Sequence, residues 1–208
     1  MPRKFTIIYD TYCGWCYGAA PVFDALLDTG AEVEVLHRHL FQGSNAPKMS
    51  EGKGDYILKA DAQIAALTGQ TFSQTYAEKV VMSGKEVLES GYTAQAAALV
   101  HDQGARREFE IRHKLEVLRY IDGVSAQDRD AVVSALVDLG IEPAEAEKIG
   151  TPELAERAQV LSRKADQLMQ EMGSFGVPTV LSHDETGTEI VNHSAFYGNP
   201  SGVSTLLS

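Results

Sequence analysis

The stretch TIIYDTYCGWCYGAAP, residues 6–21, holds both cysteines of the chain and constrains its fold more than any other. Phe5-Thr6-Ile7-Ile8-Tyr9 is β-branched and aromatic over a strand's length, and its unbroken apolar run suits a strand buried on both faces. Beyond Gly14, the residues Tyr17, Ala20, Phe23 and Leu27 recur at helical spacing until Thr29-Gly30 supplies the stop. Residues 32–37, EVEVLH, then alternate polar with apolar and predict a second strand. Strand, helix and strand in that order form a β-α-β unit, which strongly favours a right-handed crossover into parallel pairing.

After Leu40 the pattern changes. FQGSNAPKMSEGKG is a polar, Gly-rich connection, and nearly everything from there to Met172 has helical character. Helices are predicted over 55–67, 73–81, 92–103 and 105–121, the third stopped at Gly104 and the fourth at Asp122-Gly123. Ser125-Ala126-Gln127-Asp128 has the form of an acidic cap before a helix over 129–139. Pro143 fits the first turn of a short helix, and Thr151-Pro152-Glu153 places a cap, a first-turn proline and an early acid before a helix running to about Met172. No repeat of fixed period links these helices. Residues 176–181 predict a third strand, 183–187 a turn, 188–191 a fourth strand forming a hairpin with the third, and Asn199-Pro200 opens a short closing helix through Leu207. The reading is an α/β chain with a thioredoxin-like fold and a large all-helical insertion: residues 1–44 and 173–208 form the thioredoxin-like domain and 45–172 the insertion.

The composition narrows the partners. With 208 residues, 44% hydrophobic and 23% charged, the chain can bury a core as one domain carrying an insertion. A formal charge of -11 argues against nucleic acid, whose phosphates call for clustered Lys and Arg. The apolar run after MPRK ends at Asp10, too short for a secretory segment, and no stretch approaches membrane-spanning length. The expectation is a cytoplasmic protein with no membrane partner, a compartment in which a structural disulfide is improbable. Nothing in the sequence sets the oligomeric state.

Cys13 and Cys16 stand one helical turn apart, within disulfide reach. Closing so short a loop removes little unfolded-state entropy, so the value of the pair is chemical rather than structural. A thiol at a helix N-terminus meets unpaired N–H groups and the positive end of the helix dipole, which favour the attacking thiolate. Cys13, at the helix mouth, is therefore expected to be the nucleophile and Cys16 the resolving thiol. A competing reading joins the pair to His37 and His39, two imidazoles on one face of a strand, as a Cys2His2 zinc site. Its weakness is that zinc knuckles sit in loops, whereas this pair ends a strand and opens a helix. Without zinc, the two histidines become a strand-end pair, one packed and one solvated. Asp10, three positions before Cys13, is either a strand-end acid capping a turn or a proton shuttle. Trp15, the only tryptophan, with Tyr12 and Tyr17 beside it, would give an apolar rim for a peptide or thiol partner, or pack on the sheet. Pro178 opens a strand, where a missing N–H breaks no ladder, and Pro21 stands inside the helix, where it removes a hydrogen bond.

On Asp10, the run Cys13-Gly14-Trp15-Cys16-Tyr17-Gly18 and the run Gly176-Val177-Pro178-Thr179, the chain resembles the DsbA-like thioredoxin superfamily. Within it, the resemblance is to the cytoplasmic branch of FrnE-type oxidoreductases and, more distantly, to 2-hydroxychromene-2-carboxylate isomerases and kappa-class glutathione transferases. The resemblance implies thiol-disulfide exchange through Cys13 and Cys16. It further implies a cis Val177-Pro178 bond facing the cysteines, and substrate binding along Val177, Pro178, Trp15 and Tyr12. Protein disulfides or glutathione are the implied partners, with no cofactor and no metal. The alternative on the same fold is a glutathione-dependent isomerase or transferase of small electrophiles, whose members usually have serine where Cys13 stands. Two departures are visible: Gly14 and Trp15 replace the histidine that periplasmic members place between the cysteines, and Ile7 replaces the buried acid of thioredoxins. No Lys or Arg occurs between Phe5 and His37, so no cation is expected beside the pair.

Overall fold

The structure is a computed structural model and describes residues 3–49 and 53–207; Met1, Pro2, Ser208 and residues 50–52 of the polar connection lie outside the described residues. Its sheet has the order β2-β1-β3-β4. β1 (Lys4–Tyr9) pairs in parallel with β2 (Glu32–His37), from Lys4 opposite Glu32 to Tyr9 opposite His37. On its other edge β1 pairs antiparallel with β3 (Thr179–Asp184), which turns back into β4 (Gly187–Ile190). A central strand between two partners needs apolar residues on both faces, which explains the unbroken run in β1. Phe5, Ile7 and Tyr9 pack with Ala19, Val22, Phe23 and Leu26 of α1 (Gly14–Asp28), while Ile8 and Leu36 pack with Ala165 and Met169 of α8 (Pro152–Glu171). α8, which the sequence division counts with the insertion, thus covers one face of the sheet.

Between β2 and α8 the chain forms α2 (Lys53–Thr68), α3 (Gln74–Tyr76) running into a wider-wound turn at Ala77–Val81, α4 (Gly91–Val100), α5 (Ala105–Tyr120), α6 (Arg129–Asp138) and α7 (Pro143–Ala146). The caps read from the sequence are in place. Asp128 accepts from the Ala131 amide, and Thr151 from the Leu154 amide behind the first-turn Pro152.

Two details tie α1 to the insertion. Pro21 cannot donate to the Tyr17 carbonyl four residues back, and the Gln70 side chain donates to that carbonyl instead at 2.8 Å. Gly14 and Gly18, one turn apart, form a flat strip against α2: a methyl at Gly18 would lie 2.5 Å from Ile64 Cγ2.

Several boundaries differ from the sequence reading, four of them by more than a shift of an end or two. β3 starts at Thr179 rather than Gly176, because residues 176–178 form a bend ahead of the ladder. The helix expected over 92–103 ends as an α-helix at Val100 and tightens into a 3-10 turn at His101–Gln103. A 3-10 turn at His193–Phe196 was without a sequence signal, and the closing segment Pro200–Leu207 is 3-10 rather than α.

Candidate active site

Cys13 occupies the N-cap position of α1, so its side chain stands where a serine or aspartate would accept from the amides of Trp15 or Cys16. No side-chain cap bond is made there in this reduced, disulfide-free state. The thiol points instead to the Val177 carbonyl, 3.6 Å away. The Val177-Pro178 peptide bond is cis, as the resemblance implies. Residues 164 positions apart in the chain therefore meet at Cys13. Cys13 itself is buried, contrary to the open helix mouth suggested by the sequence.

Cys16, one turn further in, has no exposure at all, and the Asp10 amide donates to its sulfur at 3.5 Å. Burial pushes the Cys16 thiol well above its ordinary range, and the neighbouring Cys13 adds to the shift. The two thiols thus differ sharply in environment.

Asp10 is fully buried and stitches three segments together. Its carboxylate accepts from the Tyr12 amide at 2.8 Å, the Leu40 amide at 2.9 Å and the Ser90 hydroxyl at 2.6 Å. The Tyr12 bond caps the turn before the cysteines, as expected of a strand-end acid. Burial raises the carboxyl to about 6, against the hydrogen bonds from Ser90, Tyr12 and Leu40 that lower it. His37 is also buried, accepts from the Thr11 amide through Nε2 at 3.2 Å, and is driven down to about 3 by desolvation and by His39. His39 is half-buried and its Nε2 lies 2.7 Å from Glu89 Oε1. Among the described residues no cluster of three or more His, Cys, Asp or Glu side chains is arranged to hold a metal.

The aromatic residues divide. Trp15 is half-buried beside the cysteines. Tyr12 is buried, its ring 4.9 Å beneath the Arg119 guanidinium carbon. Tyr17 stacks on Tyr120 with ring centroids 4.3 Å apart and donates its hydroxyl to the Thr71 carbonyl. Tyr197, from the C-terminal segment, packs against the cluster that contains both cysteines, and its hydroxyl lies 3.2 Å from His193 Nδ1.

A cation from α5, outside the local sequence, stands over the turn before the cysteines, on the Tyr12 ring. Arg119 is buried and bonded to Glu86 at 2.8 Å; Glu86 in turn accepts from Ser125 and the Ala126 amide. Asp61 from α2, buried against Gly14, was likewise missed. The signal that could have found Arg119 is the run Glu108, Arg112, Glu116 and Arg119 at helical spacing on α5, a charged stripe that normally marks a solvated face. Here all four are buried. Asp61 and Ser90 carried no such mark.

Comparison with known proteins agrees with this geometry. Residues 6–200 match the DSBA-like thioredoxin domain. The fold is similar to the cytosolic disulfide reductase DsbM from Pseudomonas aeruginosa, at TM-score 0.85 and 22% identity over 98% of this chain and 96% of that one. The same protein with GSH aligns at TM-score 0.80 and 23% identity over 98% and 96% of the two chains. A putative protein disulfide isomerase from Nitrosomonas europaea aligns at TM-score 0.75 and 18% identity, covering 93% and 90%. No curated protein sequence matches the chain. The chain belongs to the DsbA-like thioredoxin family and is a thiol-disulfide oxidoreductase.

Proposed function

We propose that Cys13 attacks substrate disulfides and that Cys16 resolves the resulting mixed disulfide. The observation that carries this is the asymmetry of the pair: Cys13 at the helix N-cap, 3.6 Å from the Val177 carbonyl, and Cys16 wholly enclosed. The N-terminal amides of α1 stabilise negative charge on Cys13 as attack begins. Cys16 forms its thiolate only when a mixed disulfide gives it a target beside it. Val177 and Pro178 supply backbone for an extended substrate, Trp15 lines the approach, and Tyr12 supports that surface from beneath. Glutathione or a protein disulfide is the partner, no cofactor takes part, and the compartment is the cytoplasm. Supporting this is the glutathione complex of the DsbM neighbour. No helix among the described residues is long and apolar enough to cross a membrane. The chain divides functionally into residues 1–44 with 173–208, which hold the redox pair, and residues 45–172, which form its second wall.

Replacing Cys16 by Ala removes only the release step, so Cys16→Ala challenged with an oxidised protein and run on a non-reducing gel accumulates a covalent adduct. Cys13→Ala traps almost nothing. Equal trapping by the two, or adducts only in Cys13→Ala, reverses the assignment.

A further inference from the structure

Two buried carboxyl groups flank the start of α1, and they are held differently. Asp10 has both oxygens engaged by the Tyr12 and Leu40 amides and the Ser90 hydroxyl. Asp61, from the middle of α2, is only 5% exposed and lies directly against Gly14, the first of the two residues between the cysteines: a methyl there would sit 3.3 Å from Asp61 Oδ1. Its other oxygen, Oδ2, is buried with no donor in close hydrogen-bond distance among the described residues, and the Tyr76 hydroxyl faces the carboxyl only as a weak donor. An ionised carboxylate left so is costly, whereas Asp10 is already compensated.

We infer that Asp61 is a redox-linked proton site: it holds a proton while Cys13 and Cys16 are reduced and releases it when they form a disulfide. The inference rests on the reading that this pair is the redox centre. Asp61 and Cys13 share one helix N-terminus, and its positive end compensates one anion far better than two. In a buried setting two neighbouring negative charges repel strongly, so a Cys13 thiolate raises the proton affinity of Asp61. A disulfide carries no charge and withdraws that effect.

The groups facing Asp61 leave room for this coupling. They are Tyr76 from α3, Arg119 and Tyr120 from α5, and Gly14 at the start of α1, the residue next to Cys13. Arg119 is the one cation among them, and its charge is committed to Glu86 at 2.8 Å. Tyr120 has a buried hydroxyl without a hydrogen-bond partner among the described residues, and its surroundings include both Cys13 and Asp61. Burial brings the Asp61 carboxyl to about 7, against Tyr76 and Arg119, which lower it, so a modest change of field alters its proton occupancy at neutral pH.

The balance is explicit. Two glutathione thiols reduce the Cys13–Cys16 disulfide, forming glutathione disulfide and giving up two protons. One proton goes to Cys16 and the other to the Asp61 carboxylate, leaving Cys13 as the thiolate that its proposed attack on a disulfide requires. The reverse direction returns both. Because an ionised Asp61 disfavours the thiolate, wild type is a stronger reductant above pH 7 than a variant that lacks the charge.

Difference infrared spectroscopy of wild type at pH 7, oxidised against reduced, reads this directly. A carboxylic-acid C=O band appears on reduction and is missing from the isosteric Asp61→Asn, while Asp61→Glu restores it. In parallel, the equilibrium of each protein with glutathione is followed from pH 6 to pH 8. The Asp61→Asn to wild-type ratio changes about three- to tenfold across that range, as a shift of roughly half to one pKa unit requires, with the variant the weaker reductant at pH 8. A band unchanged by redox state, or a ratio independent of pH, overturns the inference even if Cys16→Ala still traps substrate. A wild type that never forms the Cys13–Cys16 disulfide, seen as no mass difference between oxidised and reduced protein, removes the reading beneath it as well.

Discussion

The sheet and the helical segment treat charge in opposite ways. On the sheet, ion pairs lie outside: Lys4 and Glu32, opposite one another on β1 and β2, are 56% and 66% exposed. In the helices, beside exposed pairs such as Arg163 and Glu156, some charges lie inside. Arg119 and Glu86 are buried together, as are Arg112 and Glu116 on adjacent turns of α5. A sheet strand can send alternate residues to water; α5 does the same with Arg106, Glu110 and His113, but its Glu108, Arg112, Glu116 and Arg119 stripe faces the neighbouring elements and has nowhere solvated to go. The sheet therefore sets where the cysteines stand, and the helices set much of the field they experience.

The comparison breaks most visibly at Arg119. Arg119→Met strips the cation from a buried Glu86, and urea unfolding should register a loss of about 3–5 kcal/mol. Lys4→Ala, probed identically, should change stability by less than about 0.5 kcal/mol, because exposed pairs contribute little. If the two losses are alike, burial is not what separates the regions. Gly18→Ala sharpens the contact between them. The added methyl meets Ile64 Cγ2 at 2.5 Å, an overpacking cost of about 1–3 kcal/mol, against the roughly 1 kcal/mol by which alanine favours a helix. A net loss in the melting midpoint is expected, and a gain would mean that α1 and α2 can move apart freely.

The effect at Asp61 is set apart by its dependence on pH. Its carboxyl is raised from 3.8 to about 7, so ionisation opposes folding increasingly from about pH 4 to pH 7 and by a constant amount above that. Asp61→Asn should therefore match wild type in denaturant midpoint near pH 4 and exceed it at pH 8. A variant less stable at pH 8 would show that the carboxylate is held by a donor after all.

Much of the sheet was legible because each of its residues answers to a local rule. The apolar run of β1, the alternation of β2, the cap at Thr151 and the pair Cys13 and Cys16 all declare themselves within a few residues. Pro178 was legible through resemblance, since an X-Pro step alone does not say what it faces. The environment of the cysteines was not legible. Asp61 and Arg119 lie in two helices and Ser90 precedes a third, and a polar side chain at such a position carries no mark of whether water or another helix lies beyond it. Cys13 was misjudged in the same way: a helix mouth is open only if no loop covers it, and that loop lies 164 residues away.

That separation has a consequence in time. The cysteines leave the ribosome before the loop that covers Cys13, since Val177 follows 164 residues after it. At a synthesis rate of about 5–20 residues per second, the gap is on the order of ten seconds. β1 cannot gain its second sheet partner before then, since β3 comes later still. For that interval the nascent chain presents two thiols without the loop that covers one of them, and any disulfide it meets reacts with an unfinished enzyme.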